Sequence, residues 1–414
     1  MFTKSKLGGV LKKKNFFALW IGQIISQFGD RLAQMGLVGI YLSETQGISV
    51  SSSVPVMRNL FFFSTLPILI FSPVAGVYVD RWSRRNILII SDFLRAGLVL
   101  FIPFFRLYTR NINYIYLVIF FIFLVTCFFT PAKSAIIPNL VSKDELLAAN
   151  SLSNITRMLA MIGGVALGGL VVARIGVNMS FIIDSVSFGI SGLAVGFIKI
   201  KENNIVKNTQ IHLFKKISQD LIDGLRFIKK KAEILSAAIS LLVLMGAGGL
   251  SYVLITVMIT KELGLGTIGL GIAASALGLG MIGGSLIYGQ FGSKLSKNTV
   301  ILFGAMMAGI CALLLGGVRT VIYIGVGIFL IGFIAAVIMV AATTLTQEIT
   351  PDPLRGRIFS SLEVIINSSF LFFVWIAGVL GSRYPISSIF QGIGISLLVY
   401  SSLMFILRGI KRGV

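Results

Sequence analysis

The sequence predicts an all-α integral membrane protein of twelve transmembrane helices arranged as two six-helix bundles. Three observations carry that expectation. The 414-residue chain is 56% hydrophobic and only 12% charged, about half the charged share of an ordinary soluble domain. Its apolar residues fall in runs near the roughly 20 residues that cross a bilayer core. Its 36 Lys and Arg against 15 Asp and Glu give a net charge of +21, and the basic residues cluster between the apolar runs. That placement points to a lipid bilayer as the partner and not to nucleic acid.

In chain order the runs cover roughly 15–43, 55–79, 87–108, 112–138, 146–173, 177–199, 234–260, 267–291, 298–318, 321–346, 362–382 and 386–407. The longest polar stretch, 200–233, separates an N-terminal bundle, 1–199, from a C-terminal bundle, 234–414. Within it Phe214, Ile217, Leu221, Leu225 and Ile228 follow helical spacing among lysines, the pattern of an amphipathic helix lying on a membrane surface. An even number of spans puts both termini on one side. Of the 36 basic residues, 25 fall on segments that share the side of the termini and 6 on the opposite side, so both termini are expected in the cytoplasm. The basic N-terminus leads into an apolar run with no small-residue cleavage site, which reads as an uncleaved first span. Two six-helix halves on a cytoplasmic linker are the plan of a secondary transporter.

Other classes lack their residues. Cys127 and Cys311 lie inside apolar runs, against a disulfide framework. His212 stands alone in the linker, so no metal site and no cofactor are expected. There is no G-x-x-x-x-G-K-[ST] phosphate loop, and no nucleophile–base–orienter set argues for an enzyme. A monomer is expected.

The informative residues are charges placed where charges are costly, about 2.5–3.5 kcal/mol each on insertion scales. Arg31, Arg58, Arg95, Lys133 and Arg157 fall within spans. In span one Gln23, Gln27, Asp30 and Gln34 are spaced i, i+4, i+7, i+11, one helical face, bordered by Arg31. Such a stripe should face a water-filled cavity, with Asp30 binding a proton whose affinity changes as the cavity opens and closes. The alternative is a static ion pair of Asp30 with Arg31, Arg157 or Lys133. Span six repeats the spacing in Ser180, Asp184, Ser187 and Ser191, and span five offers Asn150, Asn154 and Arg157. The assignment is Asp30, Asp184, Arg31 and Arg157 for proton coupling, and Gln23, Gln27, Gln34, Lys133, Asn154, Glu363 and Asn367 for the substrate cavity. Spans seven to ten and span twelve carry no charge. Met245, Met258, Met306, Met339, Phe370, Phe373 and Trp375 supply apolar walls in the C-terminal half. Glycine clusters, Gly163, Gly164, Gly168 and Gly169 in span five and Gly269 to Gly284 in span eight, allow close helix approach.

Between spans two and three the chain reads Gly76-Val-Tyr-Val-Asp80-Arg81-Trp-Ser-Arg84-Arg85. This resembles the G-x-x-x-D-R-x-G-R-R signature of the major facilitator superfamily, with Ser83 in place of the last glycine. The resemblance implies a cytoplasmic gate: Gly76 admits a neighbouring helix, Asp80 accepts from the N-terminus of span eleven, and Arg81, Arg84 and Arg85 accompany them, with Arg84 or Arg85 pairing with Asp92. Further segments are similar to the macrolide-efflux and enterobactin-exporter branch: Asp92-Phe-Leu-Arg95-Ala, Phe128-Phe129-Thr130-Pro131-Ala132, Ile183-Asp184-Ser185, Gly224-Leu225-Arg226-Phe227-Ile228 and Gln347-Glu348. The Gly-Pro pair of many antiporters is Gly163-Gly164 here, and span four lacks their arginine. The resemblance implies proton-driven export of a drug or bulky natural product, macrolide-like, in exchange for protons. A siderophore or metabolite exporter on the same fold, and a non-transporting receptor or scaffold, are the alternatives.

Overall fold

The computed structural model describes residues 6–79, 82–109, 111–142, 145–200, 213–292, 295–317, 320–350 and 355–412. Asp80, Arg81 and His212 lie outside them, and of Gly76 and Asn154 only the helical backbone is described. The described chain is helical: α1 (Lys6–Leu11), α2 (Lys14–Glu44), α3 (Val50–Val79), α4 (Arg84–Tyr108), α5 (Ile112–Leu140), α6 (Leu146–Leu159), a π-helical turn (Ala160–Gly164), α7 (Val165–Arg174) and α8 (Val177–Gly196). Then follow α9 (Leu213–Lys230), α10 (Ala232–Val257), a second π-helical turn (Met258–Glu262), α11 (Gly266–Phe291), α12 (Lys297–Gly317), α13 (Val321–Ile349), α14 (Arg355–Gly381) and α15 (Ile386–Arg412). Among the described residues, eleven helices are long and apolar enough to cross a membrane. α2 has the length, 31 residues, but is not one of the eleven, because its polar stripe dilutes its hydropathy.

Local chemistry sets several helix ends. Ser83, the departure from the loop signature, is the N-cap of α4: its hydroxyl accepts from the Asn86 N–H at 3.3 Å, so a capping side chain replaces the flexible glycine. Asn111 caps α5 in the same way, accepting from Asn113 N–H at 3.0 Å. Gly176 turns the chain from α7 into α8 at φ +106°, a backbone region L side chains rarely enter. The first π-helical turn falls on Gly163-Gly164, where many antiporters of the superfamily carry Gly-Pro. The second lengthens α10 to Glu262, so Lys261 ends a span where the sequence suggested a loop.

The chain forms two compact units: Met1–Glu44 with Phe63–Phe214, and Thr45–Phe62 with Lys215–Val414. The first half of α3 therefore belongs with the second unit. In the first unit α2 packs along α8 through a ridge of glycines seven apart. Gly22 meets Ser191, Gly29 meets Ser187 and Asp184, and Gly36 meets Ser180 and Phe181. On its other side α2 meets α7, where a Cβ on Gly168 would stand 3.0 Å from the Arg31 carbonyl oxygen. In the second unit the glycines between α11 and α13 face backbone instead. A Cβ on Gly280, Gly284 or Gly332 would overlap the carbonyl oxygen of Phe329, Phe333 or Leu277, locking α11 to α13. The linker helix α9 docks through Ile228 onto Ile234, Ala238, Ile358 and Leu362, and Ser361 Oγ donates to the Leu221 carbonyl at 3.1 Å. Its amphipathic pattern is thus spent partly on α14, while Ile222 and Leu225 stay exposed.

Candidate functional site

Four helices of the first unit bring charge to one place inside it: α2 with Asp30 and Arg31, α4 with Asp92 and Arg95, α5 with Lys133, and α8 with Asp184. The centre is a residue outside both polar stripes. Arg95 is 3% exposed and Asp92 0%, and Arg95 Nη2 donates to Asp92 Oδ1 at 2.5 Å. The guanidinium lies between two rings, 4.0 Å from the centroid of Phe129 and 4.2 Å from that of Phe188. A cation held between aromatic faces and bonded to a carboxylate is stabilised where water cannot reach it. The signal was present in the sequence as Asp92 and Arg95, i and i+3 on one helix face.

The carboxylates around Arg95 differ in access. Asp184 is sealed: it is 1% exposed, accepts from Ser187 Oγ at 3.3 Å and lies against Gly29. Asp30 is half-buried, within electrostatic reach of Arg95, Arg31 and Lys133. Asp184 in turn feels Asp30 and Arg95, and Asp92 feels Asp30. Several buried polar atoms here make no well-formed hydrogen bond within the protein: Asp92 Oδ2, Ser191 Oγ, Arg31 Nε and Gln23 Nε2. Such atoms are unusual in a packed interior.

Several expectations change here. Asp92 pairs with Arg95 and not with Arg84 or Arg85, because it sits two turns inside α4. Arg84 and Arg85, in the first turn, donate to the carbonyls of Ala135 (3.2 Å) and Gly196 (2.5 Å). The span-six stripe does not line a water-filled cavity: Ser180, Asp184, Ser187 and Ser191 are all buried, facing the glycine ridge of α2. Arg31 Nη1 donates to Gln34 Oε1 at 2.9 Å, so these two form their own contact. Arg157 is exposed, although Lys133 lies in its field. Gln23, Gln27 and Lys133 do come together. They line a narrow crevice of about 10 Å³, room for about one water, with Phe16, Trp20, Ser153 and Thr156, where Trp20 Nε1 donates to Thr156 Oγ1 at 3.0 Å. Glu363 and Asn367, on α14 of the second unit, are exposed.

At the end of this unit Glu145 binds the chain leading into α2. Its carboxylate accepts from Lys13 Nζ, Ser142 Oγ (2.5 Å) and the Ser142 N–H (3.0 Å), half of a capping box. These donors hold its pKa down at about 2.

Comparison with known proteins agrees with this architecture. Residues 8–411 match the family model described as transmembrane secretion effector. An uncharacterized MFS-type transporter of Bacillus subtilis, YkuC, is 24% identical over 96% of this chain and 93% of its own. Macrolide efflux protein A of Streptococcus pyogenes is 26% identical over 72% of each chain, and the putative bacilysin exporter BacE of Bacillus subtilis is 25% identical over 86% of each. Among solved structures, a point mutant of the nucleoside transporter NupG superposes with a TM-score of 0.70 at 13% identity, over 94% of this chain and 100% of its own. A bacterial homologue of ferroportin in an inward-facing state gives 0.64 at 16%, over 94% and 97%. With a family model spanning almost its whole length and the fold of these transporters, the chain belongs to the transmembrane secretion effector family of the major facilitator superfamily.

Proposed function

We propose that this chain is a twelve-span secondary transporter, counting α2 as the first span, with both termini in the cytoplasm, and that it exports an amphipathic drug or natural product by proton antiport. The observation that carries this reading is the graded access of three carboxylates around one arginine. Asp92 and Asp184 are sealed, whereas Asp30 keeps a minor exposed part and lies within reach of Arg95, Arg31 and Lys133. In this reading Asp30 takes up and releases the proton. Arg95 is its cationic neighbour, the part the sequence assigned to Arg31 or Arg157. Protonation weakens that attraction and loosens α2 from α4 and α5, biasing a two-state rocking of residues 1–199 against 234–414. Substrate and proton then compete through the polar face of Gln23, Gln27 and Lys133, which must open to admit a substrate. Asp80, by its resemblance to the superfamily signature, belongs to the cytoplasmic latch of this cycle.

The names of the macrolide and bacilysin relatives support a natural product as cargo. A siderophore-like or other acidic metabolite is the second reading, favoured by one observation. Lys133 lines the crevice, while Asp184, which a cationic macrolide would need, is sealed. The experiment is an inside-out vesicle assay with an imposed proton gradient, adding macrolides and catechol siderophores singly and following lumenal pH. Substrate-driven proton release in the wild type should vanish in Asp30→Asn, with the variant still inserted in the membrane. Undiminished uphill transport by Asp30→Asn would refute the assignment.

A further inference from the structure

One in-span charge has no part in the cluster around Arg95. Arg58 stands about 12 Å along α3 from its start, at 1.5 Å per residue, inside the span Val50–Ser72. It belongs to the second unit, in the segment Thr45–Phe62. The ion pairs among the described residues join Lys13 to Glu145, Arg95 to Asp92, Arg226 to Asp223 and Lys297 to Glu348; Arg58 is in none of them. Its Nε and Nη2 donate to the same neutral acceptor, Asn59 Oδ1, at 3.0 and 2.8 Å. Lys261, the cation that meets the chain just before α3, is already occupied, donating to the carbonyls of Thr45 and Ile48 at 2.6 Å each.

The surroundings of Arg58 hold it in place and offer an apolar partner surface. Its stem lies on Gly378 of α14, where a Cβ would stand 2.9 Å from Arg58 Nε and 3.0 Å from its Cβ. One turn further along α3, the Phe61 ring is 4.1 Å from that of Tyr252, which is 5.9 Å from Phe370. Tyr252 is 37% exposed, so the aromatic row presents a face. A planar guanidinium matches a carboxylate or sulfonate with two parallel hydrogen bonds, and aromatic walls with one fixed charge are the usual make-up of a small-molecule site.

We propose that Arg58, with Phe61, Tyr252 and Phe370, is a recognition site for the acid group of an amphipathic substrate whose aromatic or apolar body lies along the rings. This rests on the export reading and narrows its cargo to molecules that carry an anionic group.

The test uses the full-length protein in detergent and two fluorescent probes of the same ring skeleton. Anilinonaphthalene sulfonate carries the anion, and phenylnaphthylamine is its uncharged counterpart. Each is titrated against protein-free micelles. Arg58→Gln should weaken the sulfonate probe about tenfold or more, as loss of a charged hydrogen-bond partner does, and leave the neutral probe within about twofold. Tyr252→Ala should weaken both. Arg58→Lys keeps the charge and loses the fork, so it should weaken the sulfonate probe several-fold only; this variant decides the matter if Arg58→Gln does not fold. No binding of the sulfonate probe by wild type overturns the proposal. So do unchanged sulfonate affinity in both Arg58 variants, and equal loss of the two probes. Phosphatidylglycerol is titrated in parallel. If it displaces the sulfonate probe from wild type, the guanidinium serves a lipid headgroup and the proposal falls. Binding is read without a proton gradient, so a failed antiport assay beside an intact probe difference removes the coupling reading alone.

Discussion

The α2–α8 seam of the first unit and the α11–α13 seam of the second bring their helices together by opposite means. In the first, the glycines of α2 approach side chains: Gly22, Gly29 and Gly36 make room for Ser191, Ser187 with Asp184, and Ser180 of α8. In the second unit, Gly280, Gly284, Gly332 and Gly249 each press on a carbonyl oxygen of the facing helix, while Gly246, Gly304 and Gly378 meet side chains. Close packing against polar side chains creates a place where a carboxylate can be buried with hydroxyl and guanidinium partners. Close packing against backbone leaves no such place. The difference explains why Asp92, Arg95 and Asp184 are all buried in the first unit, while α11 and α12 of the second bury hydrocarbon. It also sets Arg58 apart, as a guanidinium brought to the second unit by the first half of α3 and laid against Gly378.

The largest test of that contrast is Arg95→Leu. Removing the guanidinium strands the buried Asp92 and takes from Asp30 and Asp184 the cation they share, at a cost of about 3–5 kcal/mol. The variant should be recovered in low yield, with a strongly lowered melting temperature in detergent. Arg95→Leu combined with Asp92→Leu should recover most of the loss, since both charges leave together. A single variant as stable as wild type would mean that the cluster is solvated and the contrast between units is wrong.

Glycine substitutions sharpen the comparison at smaller scale. Gly280→Ala drives a methyl group into the Phe329 carbonyl, which cannot rotate away, so it should lose about 1–3 kcal/mol as overpacking does. Gly29→Ala meets Ser187 Oγ and Asp184 Oδ1, which are side-chain atoms. Its loss should be smaller and partly relieved by Ser187→Ala, whereas no side-chain truncation on α13 should rescue Gly280→Ala. Paired melting curves check the order, and a reversed order would break the distinction.

Much of this was legible in the chain because it is written along single helices. Hydropathy runs mark the spans, and the Gln23–Gln27–Asp30–Gln34 spacing marks the polar face of α2. What was not legible depends on pairs of helices. Ser180, Asp184, Ser187 and Ser191 have the spacing of a cavity stripe, but their fate is decided by glycines seven apart on α2. Asp92 near a basic loop looked like a partner for Arg84 or Arg85 until the rings of Phe129 and Phe188 fixed Arg95 beside it. Likewise Arg58 gains its aromatic row only when α3 meets α10 and α14, an encounter no periodicity within one helix records.

The smallest expected effect lies at the rim of the first unit, where charges meet water. Glu145 is held by Lys13 and Ser142, and its pKa is depressed from 4.5 to about 2. A depressed carboxylate favours the folded state above its ordinary pKa, and the benefit is lost as pH falls toward the folded value. The wild type should therefore melt slightly above Glu145→Gln at neutral pH, by no more than an exposed ion pair contributes. That margin should shrink between pH 4.5 and about 2, and high salt should reduce it at every pH. Melting curves of the two proteins across this range decide the matter. Curves that stay parallel down to pH 2 would mean that the Lys13 contact does not persist in solution, and that what holds the start of α2 is the burial of Val10, Phe16 and Leu19 rather than the charge at the rim.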